Sequence, residues 1–322
     1  MRAAVCATHG PPETVRIGEL PSPEPGPGEV AVRVGAAAVN FPDVLLIADR
    51  YQVSVPTPFV PGSEFAGTVI GIGPHTAGFT VGDRVAGTGM YGAFAEEVAV
   101  PVAGLTRVPD GVDDRTAAAF GVAHRTAHHT LRSVVRVEPG DDVVVLGAGG
   151  GVGLAAVQLA AHLGARVIAV ASSSEKLDAA TENGAHHVIN HRLRPLRDAL
   201  RDAVPDGAAA VIDPVGGELS EPALRSLRRG GRFVTVGFAS GVIPRIPLNL
   251  VLIKGVTVQG FQFGDVSAGE VDRNERELRD LLATNAIRPH IGGVYPLDDV
   301  AAALRQVADG RAVGKVVVDV SR

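Results

Sequence analysis

From about residue 140 onward, apolar β-branched runs alternate with helical patterns. "DVVVLG", "ARVIAVA", "HHVIN", "AAAVIDPV", "GRFVTVG" and "GVTVQGF" read as strands, and between the first five lie helix-like segments that include 152–163 and 218–229. Strand, helix, strand in repetition predicts a parallel sheet covered on both faces, because crossover helices occupy the faces and doubly buried strands need continuous apolar runs. This is the pattern of a doubly wound α/β domain. Residues 1 to about 120 are different: rich in Gly, Pro and Val, with short β-type runs such as "EVAVRVGAAAV" and "RVAG" between turn signals like "PSPEPGPG" and "PVAGLTRVPDG". They predict a small, irregular β domain whose first strand lies in "MRAAVCATHG". From about residue 262 follow a charged helix at "GEVDRNERELRDLLATN", a helix at "LDDVAAALRQVADG" and a closing strand "GKVVVDV", which either cap the doubly wound domain or rejoin the first one.

Length and composition sharpen this picture. With 322 residues and 46% hydrophobic content, the chain can bury a large core and matches two domains. A net charge of -5 leaves no overall positive field for nucleic acid or an anionic membrane. The single cysteine, Cys6, forms neither an internal disulfide nor a thiolate metal cluster, which fits a reducing cytoplasm. The N-terminus has no signal-peptide pattern. The uncharged stretch "VVVLGAGGGVGLAAVQLAA", 143 to 161, is as apolar as a membrane span. Gly147, Gly149, Gly150, Gly151 and Gly153 would however weaken the centre of any such helix, so no membrane partner is expected.

Those glycines sit instead where a strand turns into a helix, since Val152, Ala155, Ala156, Leu159, Ala160 and Leu163 share one helical face. Ala148-x-Gly150-x-x-Gly153 is a dinucleotide fingerprint with alanine in its first place. Gly150 lets backbone approach a pyrophosphate, Gly153 lets the helix pack closely, and the amides around Gly151 and Val152 carry the anion. At the end of the next strand, "VIAVASSSEKL", the acidic residue that would hold the ribose hydroxyls of NAD is missing near Ala171. With no carboxylate to repel it, a 2′-phosphate would be held by Ser172, Ser173 and Lys176, with His191 and Arg192 after the third strand, and NADPH is the expected cofactor. A plainer reading makes Ser172-x-x-Glu175 a capping box and Lys176 a surface charge; both can hold together.

The stretches "AVNFPDVLLIADRYQ", "VPGSEFAGTVIGIG", "VGDRVAG", "GAGGGVGLAAVQLA", "GRFVTVGFASG" and "IPLNLVLIKG" together resemble the zinc-independent, zeta-crystallin-like quinone oxidoreductases of the medium-chain dehydrogenase/reductase superfamily. The resemblance runs through essentially the whole chain. It implies a GroES-like catalytic domain from 1–123 and 262–322 around a Rossmann domain at 124–261. It also implies a homodimer extended through the strand near "GVTVQGF". Zinc alcohol dehydrogenases of this superfamily carry a cysteine near the place of Asn40 and Gly-His-Glu where this chain has Gly62-Ser63-Glu64, so no metal is expected there. His124 and His128 stand one helical turn apart beside His129, a spacing that can grip zinc, but without a third ligand nearby.

By the same resemblance, Asn40 and Tyr51 would donate hydrogen bonds to the carbonyl oxygen of the acceptor, with Phe41 shaping an apolar slot. Thr126, Gly237, Phe238, Ser240, Asn249 and Lys315 would lie near the cofactor. Asp49 stands where related sequences usually carry glycine, which puts a carboxylate beside the pocket. The implied activity is hydride transfer from NADPH to a quinone or another α,β-unsaturated carbonyl, with the closing proton from water. Competing readings are an enoyl-thioester reductase of fatty acid or polyketide assembly, a zinc alcohol dehydrogenase, and a non-enzymatic crystallin-like or RNA-binding protein.

Overall fold

The long apolar run at Glu29–Val39 becomes the central strand of the first unit. The computed structural model describes residues 1–321, and the chain divides into Met1–Val122 with the segment from Ile291 onward, and Ala123–His290. In the first unit β1 (Arg2–Cys6) pairs with β2 (Val15–Glu19). A larger sheet is built from β3 (Glu29–Val39), β4 (Glu64–Ile72), β5 (Arg84–Thr88), β6 (Glu97–Pro101) and β7 (Leu105–Arg107), all antiparallel to their neighbours. Helix α1 (Phe41–Ile47) starts directly after β3. Asn40 is its N-cap and Pro42 its second residue, where the missing N–H costs nothing. Asp43 reaches back to accept the Asn40 backbone N–H at 2.7 Å, one half of a capping box.

The second unit begins at Ala123, within α2 (Asp114–His129), which continues as a π-helical turn over Thr130–Val135. Its strands are β8 (Asp142–Leu146), β9 (Arg166–Ala171), β10 (His187–Asn190), β11 (Ala208–Asp213), β12 (Leu227–Thr235) and β13 (Thr257–Gly260). They form one parallel sheet in the order β10-β9-β8-β11-β12-β13. The order reverses between β8 and β11, the topological switch point where ligands of such sheets bind. Crossovers are made by α3 (Gly151–His162), α4 (Ser174–Glu182), α5 (Leu196–Ala203), α6 (Ser220–Arg225) and α7 (Leu248–Lys254). Strands β8, β9 and β11 are buried at nearly every position, which is why their sequences carry no polar alternation.

Two expectations need correction. The helix foreseen over 218–229 is only Ser220–Arg225, because Leu227 already belongs to β12, where its side chain is buried. The first unit resumes at Ile291 rather than 262. The charged helix α8 (Ala268–Ala283) belongs to the second unit, held by the buried Leu278 and Leu282 and by half-buried pairs of Glu275 and Glu277 with histidines of α2. The return consists of β14 (Ile291–Pro296), α9 (Val300–Ala308) and β15 (Lys315–Asp319), with β14 parallel to β15 and β15 antiparallel to β3. Among the described residues no helix is long and apolar enough to cross a membrane.

Candidate active site

In the first unit, the junction of β3, α1, β4 and β15 holds a buried polar cluster. Lys315 opens β15 immediately after Gly314, which has a left-handed φ of 69°. Its ammonium is 3% exposed and donates to Asn40 Oδ1 at 2.6 Å, Glu64 Oε2 at 3.0 Å and the Val39 carbonyl at 3.3 Å. All three donors of the ammonium are thereby used, and Lys315 organises the polar cluster of the first unit. Glu64 is fully engaged too: Oε2 also accepts Asn40 Nδ2 at 3.1 Å, and Oε1 accepts the Val122 amide at 2.6 Å. The second hydrogen of Asn40 Nδ2 has only long partners, Ser63 Oγ at 3.3 Å and the Ala38 carbonyl at 3.4 Å. It is a loosely held donor.

Below this amide lies Asp43, buried without exposure. Its Oδ1 has no hydrogen-bond partner, and the Ser63 hydroxyl is in reach to steady the carboxylate. Burial pushes the Asp43 carboxyl up to about 7, more than the Asn40 amide, Ser63 and Lys315 pull it down. Sequence reasoning passed over Asp43 and the Ser63 hydroxyl. The Asn-x-x-Asp spacing of a capping box was the signal that pointed to the aspartate.

Phe41 and Tyr51 are half-buried, and Tyr51 packs against the aliphatic core of this unit, leaving its hydroxyl without a partner among the described residues. Asp49 follows the last turn of α1 with φ 53°, and the amides of Asp49 and Arg50 close that turn onto Leu46 and Leu45. It follows the C-cap Ala48 in left-handed conformation, the place where glycine most often ends a helix.

In the second unit, the glycines sit as expected between β8 and α3. Gly147 is left-handed, φ 61°, and a Cβ there would lie 2.6 Å from Val215, so the turn after β8 and the loop after β11 touch at the switch point. A Cβ on Gly153 would fall 2.1 Å from the Gly147 carbonyl, whereas one on Gly150 would meet only that carbonyl, at 3.5 Å. The first intrahelical bond of α3 runs from Leu154 to Gly150, so the amides of Gly151, Val152 and Gly153 precede it and are open to an anion. The Gly150 amide is bonded to Gly147 instead. Ala148 is buried, its amide bonded to Val170.

The ends of β9 and β10 bring Ser172, Ser173, Lys176, His191 and Arg192 together. The cap of α4 is Ser173, whose Oγ accepts the Lys176 amide, so the expected Ser172-Glu175 capping box gives way to a simple N-cap one residue later. The stem of Lys176 lies over Gly149, where a Cβ would come within 2.4 Å of it. Burial lowers Lys176 and His191 first, and the charge of Arg192 lowers both further, while Glu175 pulls Lys176 upward; two cationic side chains and a neutral imidazole thus share one place. Gly237, Phe238 and Ser240 follow β12 in a loop whose amides bond Asp213, Pro214 and Val215. Asp213 is buried and accepts Val215 N, Gly216 N and Ser220 Oγ, so it shapes this loop. Thr126 is buried in α2, its carbonyl accepting Thr130 Oγ1, and Asn249 is exposed on α7.

The three histidines of α2 have side-chain partners: His124 faces Gln158, His128 Nε2 meets Glu277 at 2.9 Å, and His129 Nε2 meets Glu275 at 3.0 Å. Directed to different partners, they are not a zinc donor set.

A nucleotide-type glycine turn at the switch point of a parallel sheet, together with a β unit that holds a buried polar cluster, is the make-up of a two-domain dehydrogenase or reductase. Residues 26–110 match the model of the alcohol dehydrogenase GroES-like domain, and 151–284 match that of zinc-binding dehydrogenases. The chain is 37% identical to quinone oxidoreductase-like protein 2 of Bos taurus, over 98% of this chain and 92% of that one. Among solved structures it is similar to mycobacterial Rv1454c complexed with NADPH, at 33% identity, TM-score 0.92, covering 99% of this chain and 100% of that one. It is similar as well to an NAD-dependent alcohol dehydrogenase at 32% identity and TM-score 0.91, with the same coverage. The chain belongs to the medium-chain dehydrogenase/reductase superfamily, among its quinone oxidoreductase-like members.

The zinc named by one of these models does not fit the residues at Asn40 and Ser63. Asn40 Oδ1 is taken by an ammonium, Ser63 offers a neutral hydroxyl, and Glu64 is already neutralised by Lys315.

Proposed function

We propose that the chain is an NADPH-dependent reductase that transfers hydride to a quinone or another α,β-unsaturated carbonyl without a metal. The observation that carries this reading is the end of β9: no carboxylate at Ala171, two serines, and the charges of Lys176 and Arg192 clustered with the His191 imidazole. A 2′-phosphate is the group such a cluster suits, by charge and by hydroxyl donors together. The diphosphate would lie against the amides of Gly151, Val152 and Gly153, in the room that the missing side chain of Gly150 leaves. Gly237, Phe238, Ser240 and Thr126 are proposed contacts of the nicotinamide half; Asn249, exposed, is a weaker fit.

The bound cofactor supplies the hydride. The chain's own part is to stabilise negative charge on the carbonyl oxygen of the acceptor, a contribution of about 100–1000-fold for one well-placed donor. Asn40 is suited to that part, because its amide oxygen accepts from Lys315, which polarises Nδ2, and one Nδ2 hydrogen has only long partners to give up. Tyr51 would offer a second donor and Phe41 an apolar wall. A homodimer is part of the proposal, through the exposed edge strand β13.

Turnover with NADPH and NADH against simple quinones, cyclic enones and enoyl thioesters tests the reading. Quinone or enone reduction with NADPH preferred supports it. Turnover confined to enoyl thioesters moves the chain to the thioester reductases, and loss of activity on treatment with a chelator overturns the metal-free reading.

A further inference from the structure

Resting on the proposed reductase activity, we infer that Asp43 and Ser63 form the proton-delivery pair for the acceptor, with Ser63 Oγ as the group that touches the substrate oxygen. Reduction by hydride leaves an oxyanion that needs a proton, and the two carboxyl groups of the cluster, Asp43 and Glu64, are both buried. Ser63 stands beside the one loosely held donor of Asn40, accepting from it at 3.3 Å, and keeps 9% exposure at the cluster's rim. Asp43 stands behind it, shut off from solvent, with Oδ1 buried and unpartnered. A carboxyl in that state is satisfied by carrying a proton and donating it to the Ser63 hydroxyl. With the loosely held Asn40 hydrogen given to the acceptor oxygen, Ser63 would accept from Asp43, and its own hydrogen can point onward to that oxygen.

The step balances. The acceptor oxyanion takes the Ser63 hydroxyl proton as a new O–H bond forms, and the Asp43 proton passes to Ser63 Oγ. Asp43 is left as a carboxylate until solvent reprotonates it. The charged and titratable groups facing Asp43 are Lys315 on β15 and Glu64 on β4; the ammonium favours the carboxylate and Glu64 opposes it. With burial as the largest influence, the carboxyl titrates at about 7, where a general acid is most effective at neutral pH.

The test uses the intact enzyme, NADPH and 1,4-naphthoquinone, with Asp43→Asn and Ser63→Ala. Asparagine keeps an oxygen for the Asn40 amide. In the unmodified enzyme kcat should fall as pH rises through about 7 and show a solvent deuterium isotope effect. Both variants should lower kcat at least tenfold at pH 6.5, with little change in KM, and should lose that pH dependence and isotope effect. An infrared carboxylic-acid band that disappears as pH rises through about 7, and is absent from Asp43→Asn, reads the proton without turnover. A pH profile and isotope effect unchanged in the variants overturn the proton route while leaving the reductase reading intact. No turnover by the unmodified enzyme with any quinone or enone overturns that reading and the proton route with it. A variant that fails to fold is replaced by the infrared titration of the unmodified protein, where a missing band overturns the inference.

Discussion

The ammonium of Lys315 and the carboxylate of Glu64 meet at 3.0 Å with 3% and 1% of their side chains exposed. Neither charge reaches water, so each is tolerable only because of the other and of Asn40 between them. Lys315→Met should lower stability by about 3–5 kcal/mol, since it strands Glu64 as an unpaired buried charge. Adding Glu64→Gln should recover much of that loss. Urea unfolding of the two single variants and the double variant measures the coupling; additive losses would show that the two groups act independently.

Gly150 and Gly153 lack a side chain for different reasons, which two alanine variants separate. Gly153→Ala puts a methyl group 2.1 Å from the Gly147 carbonyl, so α3 has to lift from β8, at a cost of about 1–3 kcal/mol. At Gly150 the backbone is extended, φ -90°, and nothing crowds the added methyl. Gly150→Ala should therefore leave stability within about 0.5 kcal/mol. It should still weaken NADPH binding at least tenfold, equivalent to about 1.4 kcal/mol, by filling the space for the diphosphate. Thermal unfolding and calorimetric titration of both variants give the comparison.

These two glycines were legible in the sequence because their signal is local: an apolar strand before, a helical face after, and no Cβ between. The strands of the parallel sheet were legible for the same reason, their burial on both faces being written into runs such as Val143–Leu146. Lys315 was not, because its partners lie on strands far away in sequence and nothing in "GKVVVDV" announces a buried cation. The histidines of α2 failed similarly: Glu275 and Glu277 look like solvent-facing residues of a charged helix until α8 is packed against α2. That same exposed look drew the boundary at 262 instead of Ile291. Helix α6 was foreseen too long because its helical spacing continues into residues that sheet pairing claims for β12.

Lys176 decides the choice of cofactor if the cluster at the ends of β9 and β10 holds a 2′-phosphate. Removing one charged hydrogen bond costs about 1.5–3 kcal/mol. Lys176→Ala should thus reduce the preference for NADPH over NADH by about 10–100-fold, mostly by raising the KM for NADPH. NADH kinetics should hardly change. A preference that stays the same in this variant would assign the 2′-phosphate to other residues.

Asp49 holds a left-handed φ of 53° at an exposed helix end. Glycine, having no Cβ to meet the backbone, adopts that conformation freely, so Asp49→Gly should stabilise the protein by about 0.5–1 kcal/mol. A denaturation midpoint that falls instead would show that the carboxylate makes a stabilising contact of its own.

Acid should loosen the attachment of α8 to α2 before it affects the polar cluster of the first unit. Burial holds His128 below its usual value of 6.5, with Glu277 pulling upward and Arg132 and His129 downward, so the folded protein keeps this imidazole neutral. Its stabilising effect is complete above about 6.5 and is lost as pH falls, because the unfolded chain takes up the proton first. Glu277, held down to about 2 mainly by Arg132, loses its share between 4.5 and about 2. Asp43 has the opposite sign: raised to about 7, it favours the folded state at low pH and gives that up as pH climbs through about 7. Replacing His128 by glutamine keeps a side-chain N–H for Glu277 but takes up no proton. Because Asp43 stabilises the fold over the same range, the readout is local: between pH 7 and 5 the amides of α8 should exchange faster in the unmodified protein. The glutamine variant should show a clearly flatter profile; an equal acceleration in both would place the acid-sensitive group elsewhere than at His128.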